Sequence, residues 1–390
     1  MNINRLITIL AGLLCITACS GRSIQNPVPA VLRLQSGSSD IHGEISRLAD
    51  PLIKSRKNVG MVVGIISPNQ KEAIYAYGLS NLKEQVPMTT QHAFAIGSVT
   101  KSMLISLLRI LDHKGMINLD DPLGDYLPGE FKCKDEKVRQ ITLLQLASHR
   151  SGLPREPLIL TGLGRFINYL FTGENLYSHL TPKTIYEFLQ NVSLSEPDAE
   201  PTYSNIGVGL LGHVLTLKTG KSIEQLLTEY VFLPLHMADT TLKPDEGYRE
   251  KIATGYAGDQ PYFISRNTPQ KNWQFGPMMI GTGGGYSTAN DLLQLLKAYL
   301  GISKTPLDEV LGHHVGKPPL GWDHTVLEEY QTQIFYFHGM IAGFNCYMGF
   351  EPESRSAVVV LQNNFNWVDK VGQNLLLTFS KRYRAIKNNW

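Results

Sequence analysis

The sequence is poor in the features that mark specialised protein classes. Its 390 residues include four cysteines, too few for a disulfide scaffold. Charge of one sign is lacking too. The 36 lysines and arginines face 34 acidic residues, a net +2, which argues against a nucleic-acid binder with its basic face. The 35 glycines keep no three-residue period, so collagen is excluded. The apolar run near the N terminus, Leu6–Ile16, has eleven residues, short of the roughly 20 that span a bilayer. What remains is ordinary globular material, with 43% hydrophobic and 18% charged residues. The length suits one large domain or two modest ones.

Arg5, the short apolar run and the small residues after it read as a secretory signal over residues 1–19. Ile16-Thr17-Ala18-Cys19 resembles a bacterial lipoprotein lipobox, in which the cysteine is acylated and opens the mature chain. A plain signal peptide with an incidental cysteine is the alternative. Acylated Cys19 would tether the protein to a membrane surface. Residues 20–39, rich in Ser, Gly, Gln, Asn and Pro, read as a flexible linker. In an exported chain Cys133 and Cys346 could pair or could both be free buried thiols.

From about residue 40 to 385 the patterning predicts one domain. Asp40 can cap a helix carrying Ile41, Ile45, Leu48 and Leu52. Met61–Ile66 and Glu72–Tyr77, joined by Ser67-Pro68-Asn69-Gln70, predict a hairpin. Gln333–Phe337, Phe344–Phe350 and Ala357–Leu361 predict three consecutive antiparallel strands. Trp367, Val368, Val371, Leu375 and Phe379 mark a closing helix. Strands thus cluster at both chain ends, without βαβ alternation. The expected fold is α+β: an antiparallel sheet built from both ends (about 40–115 and 275–385), flanking helices, and a helical insertion over about 116–274.

Phe94 to Lys101 precedes an amphipathic helix with Leu104, Leu107, Leu108 and Leu111 on one face. Ser98 falls at its start, and Lys101, three residues on, can place its amine beside the Ser98 hydroxyl. A buried amine loses proton affinity. Neutral Lys101 could then take the hydroxyl proton and let Ser98 attack a carbonyl. A bare Ser-x-x-Lys also fits an ordinary helix cap followed by an exposed lysine. A second copy, Ser80-Asn81-Leu82-Lys83, has Pro87 close behind and no helical stripe, so it reads as a loop.

Six ordered segments change that balance: Phe94–Met103; Ile141–Pro154; Tyr203-Ser204-Asn205 leading into Gly207–Gly212; Pro234–Met237; Gly283–Thr288; and Gly343-Phe344. Together they resemble the serine β-lactamase-like and penicillin-binding hydrolases: class C β-lactamases, D-alanyl-D-alanine peptidases and related esterases. The stretch Ser148–Glu156 is most similar to periplasmic carboxypeptidase/endopeptidases of the AmpH type. The resemblance implies a β-lactamase/transpeptidase-like fold and an acyl-enzyme without metal or organic cofactor. It makes Ser98 the nucleophile, Lys101 its activator and Tyr203 the proton shuttle. Asn205 would hold the lysine and a substrate amide. If the stretch is extended, Tyr203 and Asn205 face the same way.

The family's third element is a Lys-Thr-Gly or His-x-Gly triplet ahead of Gly-Phe. Counting back from Gly343-Phe344 gives Phe337-His338-Gly339. Gly339 matches, but Phe337 replaces the usual cationic or polar residue that helps recognise a substrate carboxylate. His338 could substitute if the strand bulges by one residue. By resemblance the backbone N–H groups of Ser98 and Met340 form the oxyanion hole.

Other motifs read as decoys. Lys218-Thr219-Gly220 is a helix end with a glycine cap. Gly220-Lys221-Ser222 lacks the glycine of a phosphate loop, since Leu215 holds that place. His313-His314 lacks metal-ligand spacing. Gly281–Gly285 suggests close backbone packing near the cleft. Leu158–His179, apolar and aromatic, suggests a lid or an interaction surface. His149 reads as structural.

These readings imply an exported cell-envelope serine hydrolase, a lipoprotein facing the periplasm. Its expected substrate is a peptidoglycan stem peptide ending in D-alanine, cleaved by carboxypeptidase or endopeptidase action. A β-lactam or small-ester hydrolase is the alternative, and a non-catalytic envelope binding protein a further one. The sequence leaves oligomeric state open.

Overall fold

A computed structural model describes residues 41–55, 57–156, 160–194, 200–312, 318–327 and 332–387. The signal segment with Cys19, the linker and the His313-His314 pair lie outside the described residues. In chain order, helix α1 (Ile41–Lys54) is followed by strands β1 (Gly60–Ile66), β2 (Glu72–Asn81), β3 (Val86–Pro87) and β4 (Phe94–Ala95). Helices α2 (Thr100–His113), α3 (Leu160–Thr172) and α4 (Asn205–Thr219) come next, then β5 (Tyr286–Ser287) and helix α5 (Ala289–Tyr299). Strands β6 (Asp323–Leu327), β7 (Thr332–Ile341), β8 (Phe344–Glu351) and β9 (Ser356–Gln362) lead to helix α6 (Asp369–Lys387). Shorter helices fill the middle of the chain.

Seven strands form one antiparallel sheet in the order β3-β2-β1-β9-β8-β7-β6. The join between the two ends of the chain is β1 on β9, from Met61↔Gln362 to Ile66↔Ala357. This is the α+β architecture that the order of elements predicts. Strand β6 was not foreseen. Asp323-His324-Thr325-Val326-Leu327 is largely polar and lies at the sheet edge, where burial leaves no alternating signature.

The strand period of two divides the side chains between two cores. Met61, Val63 and Ile65 of β1 pack with Ile45 and Ala49 of α1 and with Leu375, Leu376 and Phe379 of α6 on the back face. Val62 and Ile66 turn to the front, into the larger core shared with α2, α4 and α5. Helix α2 is buried nearly all round, at Met103, Leu104, Leu107, Leu108 and Leu111. Such a helix is clamped by its surroundings, which fixes the residues at its start. Cys133 and Cys346 are both buried free thiols. Among the described residues no helix is long and apolar enough to cross a membrane.

Candidate active site

The chain leaves β4 and enters α2 through a tight 3-10 turn, Gly97–Val99, so Ser98 stands just ahead of the α-helix proper. Lys101 is only 1% exposed. Its Nζ donates to Ser98 Oγ at 2.9 Å and to the Thr282 carbonyl oxygen at 2.6 Å. Burial lowers the amine pKa to about 7; the Arg155 cation pushes the same way and Glu156 opposes it. Near neutral pH this lysine exchanges a proton readily, as a base for a hydroxyl must.

Tyr203 comes from the segment before α4, yet its hydroxyl donates to the same Ser98 Oγ at 2.8 Å. Burial raises the phenol pKa to about 12, with the Ser98 hydrogen bond and Arg155 pulling against it, so it keeps its proton at neutral pH. Three groups hold the ring. The Arg155 guanidinium lies 4.9 Å from its centroid and Lys101 Nζ 5.1 Å. The His149 ring sits at 4.5 Å. His149 Nδ1 accepts from the Ser204 N–H at 3.2 Å. Burial, reinforced by Lys101 and Arg155, drives His149 down to about 3, so it is neutral and acts as a wall.

The fourth side of Ser98 is the backbone of β7. A Cβ on Gly339 would come 2.0 Å from the Ile96 carbonyl oxygen and 3.1 Å from Ser98 N. Gly97 has φ +51°, and a Cβ there would meet Met340 N at 2.9 Å. Two glycines therefore let β7 lie against the Ser98 turn, bringing the Ser98 and Met340 amides into one neighbourhood. A hydroxyl, a buried amine, a phenol and paired backbone amides converge here, which is the equipment of acyl transfer.

Residues 45–379 match the protein family described as Beta-lactamase. The chain belongs to the β-lactamase family. Members of this family are serine hydrolases, and so is this chain. At 28% identity over 346 residues, 83% of each sequence, it is similar to the D-alanyl-D-alanine-carboxypeptidase/endopeptidase AmpH of Escherichia coli strain K12. Its fold matches a class C β-lactamase from Rhodobacter sphaeroides with a TM-score of 0.70 at 20% identity, covering 87% of this chain and 99% of that one. The D-alanine carboxypeptidase AmpC from Burkholderia cenocepacia gives a TM-score of 0.70 at 21% identity, covering 86% and 98%.

Within this β-lactamase family frame, two sequence expectations need correction. The first is His338. Strand β7 pairs with β8 one-to-one from Phe335↔Phe350 to Ile341↔Phe344, without a bulge. Gly339 faces Ser98, so its neighbour His338 faces the other side of the sheet. There its Nδ1 stands 4.0 Å from Asp369 Oδ1, and its ring meets Trp367 edge-on. It does not replace the missing cation. Phe337, on the same face as Gly339, is 4% exposed and packs edge-on against Trp322, with ring centroids 4.8 Å apart. It has joined the front core.

The second correction is Asn205. It is the first residue of α4, capped by the Ser204 hydroxyl, and not part of an extended stretch. Its amide nitrogen donates to Glu156 Oε1 and lies 3.2 Å from the Tyr177 hydroxyl. The lysine is held instead by the Thr282 carbonyl.

Several site groups escaped the sequence reading. The Thr282 carbonyl belongs to the Gly281–Gly285 stretch, which does pack at the cleft: Gly285 N–H donates to Thr100 Oγ1 at 3.0 Å. Arg155 and Glu156 lie inside the Ser148–Glu156 stretch that carries the AmpH-type resemblance, but the sequence reading gave them no role. Tyr177 lies in the aromatic stretch that carried no motif; its hydroxyl donates to Glu156 at 2.8 Å. Part of that stretch is helix α3. Among the described residues no cluster of histidine, cysteine or carboxylate side chains could hold a metal ion.

Proposed function

We propose that the chain is an acyl-enzyme hydrolase with Ser98 as nucleophile, Lys101 as base and Tyr203 as proton carrier, acting on peptidoglycan stem peptides that end in D-alanine. The observation that carries this reading is the Ser98 hydroxyl, which meets both the Lys101 amine and the Tyr203 phenol within 3 Å. Lys101 takes the Ser98 proton as Oγ bonds to the substrate carbonyl carbon. The oxyanion rests on the N–H groups of Ser98 and Met340. Tyr203 passes a proton to the departing amine as the C–N bond breaks, and Lys101 returns one to Tyr203. Water then repeats the sequence on the ester and frees the acid. The likeness to the AmpH enzyme favours carboxypeptidase or endopeptidase action. Residues 1–19 support export, and Cys19 a lipid anchor to the membrane surface on the periplasmic side.

A second reading, a β-lactamase or small-ester hydrolase, is favoured by one observation: Phe337 removes the usual carboxylate partner. A labelled penicillin discriminates. On the first reading it acylates the wild type but not Ser98→Ala, and D-alanyl-D-alanine peptides are cleaved. Ester turnover with no penicillin adduct and no peptide cleavage would replace the first reading by an esterase. The intact Ser98–Lys101–Tyr203 contacts speak against a non-catalytic binding module.

A further inference from the structure

Helix α3 lies in the apolar and aromatic stretch that the chemistry just described leaves without a task, and it is apolar on both faces. Phe166, Tyr169 and Leu170 turn inward and pack on the larger core, where the Tyr169 ring meets Trp273 edge-on at 5.7 Å. Ile167 and Phe171, one turn apart, face outward and are exposed. A helix that is apolar all round belongs inside a protein or in a lipid phase.

The outward face continues beyond the helix. The Phe263 N–H donates to the Leu170 carbonyl oxygen at 3.0 Å, and the Phe263 ring stacks on Phe171 with centroids 4.5 Å apart. Tyr262 stands edge-on to Phe263 at 5.2 Å. Phe171, Tyr262 and Phe263 are each more than half exposed. Large apolar side chains from two segments thus share one surface, which marks a contact face. The rings suit a boundary between oil and water, where an aromatic can be apolar at one end and wet at the other.

The start of the chain brings lipid to this side. Arg266, three residues after Phe263, donates from Nη1 to Asn366 Oδ1 at 2.8 Å, and Asn366 Nδ2 donates to the Lys57 carbonyl oxygen at 2.7 Å. The aromatic loop is therefore tied to the chain just past the C-terminal end of α1. That helix has 14 residues and leads back about 20 Å to Ile41. Residues 20–40 give at most roughly 70 Å of chain between Ile41 and Cys19. A lipid on Cys19 would hold a bilayer within reach of the patch. The charges beside it do not oppose an anionic surface: Arg165, Arg266 and Lys271 outnumber Asp259, which is paired with Arg266, and Glu174.

We propose that the outer face of α3, together with Tyr262 and Phe263, rests on the phospholipid bilayer, so that the hydrolase domain is held in one orientation and does not swing on its tether. The proposal goes beyond the hydrolase reading and rests only on the export and lipid anchor inferred with it.

The test uses the full chain purified from a bacterial envelope and mixed with vesicles of phosphatidylethanolamine and phosphatidylglycerol. A small share of the lipid carries a photoreactive diazirine in its upper acyl chain. After illumination, mass spectrometry should place cross-links on the peptides that hold Ile167, Phe171, Tyr262 and Phe263, about fivefold or more above other surface peptides of the domain. Phe171→Ser combined with Phe263→Ser should cut those cross-links about fivefold or more and leave turnover of a soluble ester or penicillin unchanged. Cross-links confined to residues 1–40, or spread evenly over the domain, overturn the membrane face, and this result comes from the wild type whether or not the variant folds. A concentration-dependent dimer that the two substitutions dissolve would assign the patch to a second copy and overturn it too. The intact mass separates the two readings. No lipid on Cys19 with cross-links on the patch overturns the anchor alone. Lipid on Cys19 with none on the patch overturns the face alone, and the absence of both overturns both.

Discussion

On one side of Ser98, Lys101 and Tyr203 both reach its hydroxyl, at 2.9 and 2.8 Å. On the other side β7 contributes only backbone, and the residue that would project a cation is a buried phenylalanine. The first wall is built from side chains that chemistry constrains. The second keeps what sterics constrain, the glycine, and has an apolar ring, Phe337, where the family resemblance leads one to expect a cation. On the proposed reading, bond making and substrate choice are carried by separate residues, and the second can change while the first stands.

Substitution at Ser98 has the largest expected effect. Ser98→Ala should lower kcat by roughly a thousandfold or more and leave no serine adduct in mass spectra. Comparable turnover in that variant would mean that the convergence at Ser98 is not the reacting centre. On the other wall, Gly339→Ala forces a Cβ to 2.0 Å from the Ile96 oxygen. Pushing β7 away should cost about a hundredfold in kcat, the scale of losing one oxyanion donor. A fully active Gly339→Ala would show that β7 is not held against the turn.

The pH profile sharpens the first wall. The rate should fall about tenfold per pH unit below pH 7 as Lys101 is protonated. Removing the negative charge in Glu156→Gln should move that limb to lower pH, since Glu156 raises the Lys101 pKa. Stability moves too. Between pH 7 and the ordinary lysine range the unfolded chain binds a proton that the native site has released, so stability rises with pH there. Urea titrations at pH 6 and pH 9 measure it.

Smaller effects on turnover belong to the two displaced residues. Phe337→Ala should cost about 3–5 kcal/mol of unfolding free energy while changing kcat by less than about tenfold. A large kcat loss at unchanged stability would return Phe337 to the site. His338→Gln, on the far side of the sheet, should leave kcat within about threefold, as for other changes away from the reacting atoms.

The parts legible in sequence were those with a period or a fixed spacing. The β1–β2 hairpin, the late strands and α6 follow from alternation and helical stripes. Ser98 and Lys101 follow from three-residue spacing on a helix. Groups acting through geometry left no such trace. The Thr282 carbonyl is backbone, and any residue type could have supplied it. Glu156 looks like a surface glutamate until Tyr177, 21 residues later, is seen to donate to it. The orientation of the Asn205 amide depends on that distant carboxylate. Strand β6, polar and at the edge, has no buried face to announce it.

The union of β1 with β9 has a consequence for how the molecule comes into being. Residues 61 and 362 face each other across paired strands, so most of the chain is synthesised before its early hairpin finds a partner. The turn bearing Ser98 is likewise braced by Gly339 and Met340, which emerge from the ribosome late. A growing or truncated chain that stops short of β7 is therefore a hydrolase in sequence only. Its reactivity is switched on by the arrival of its own last third.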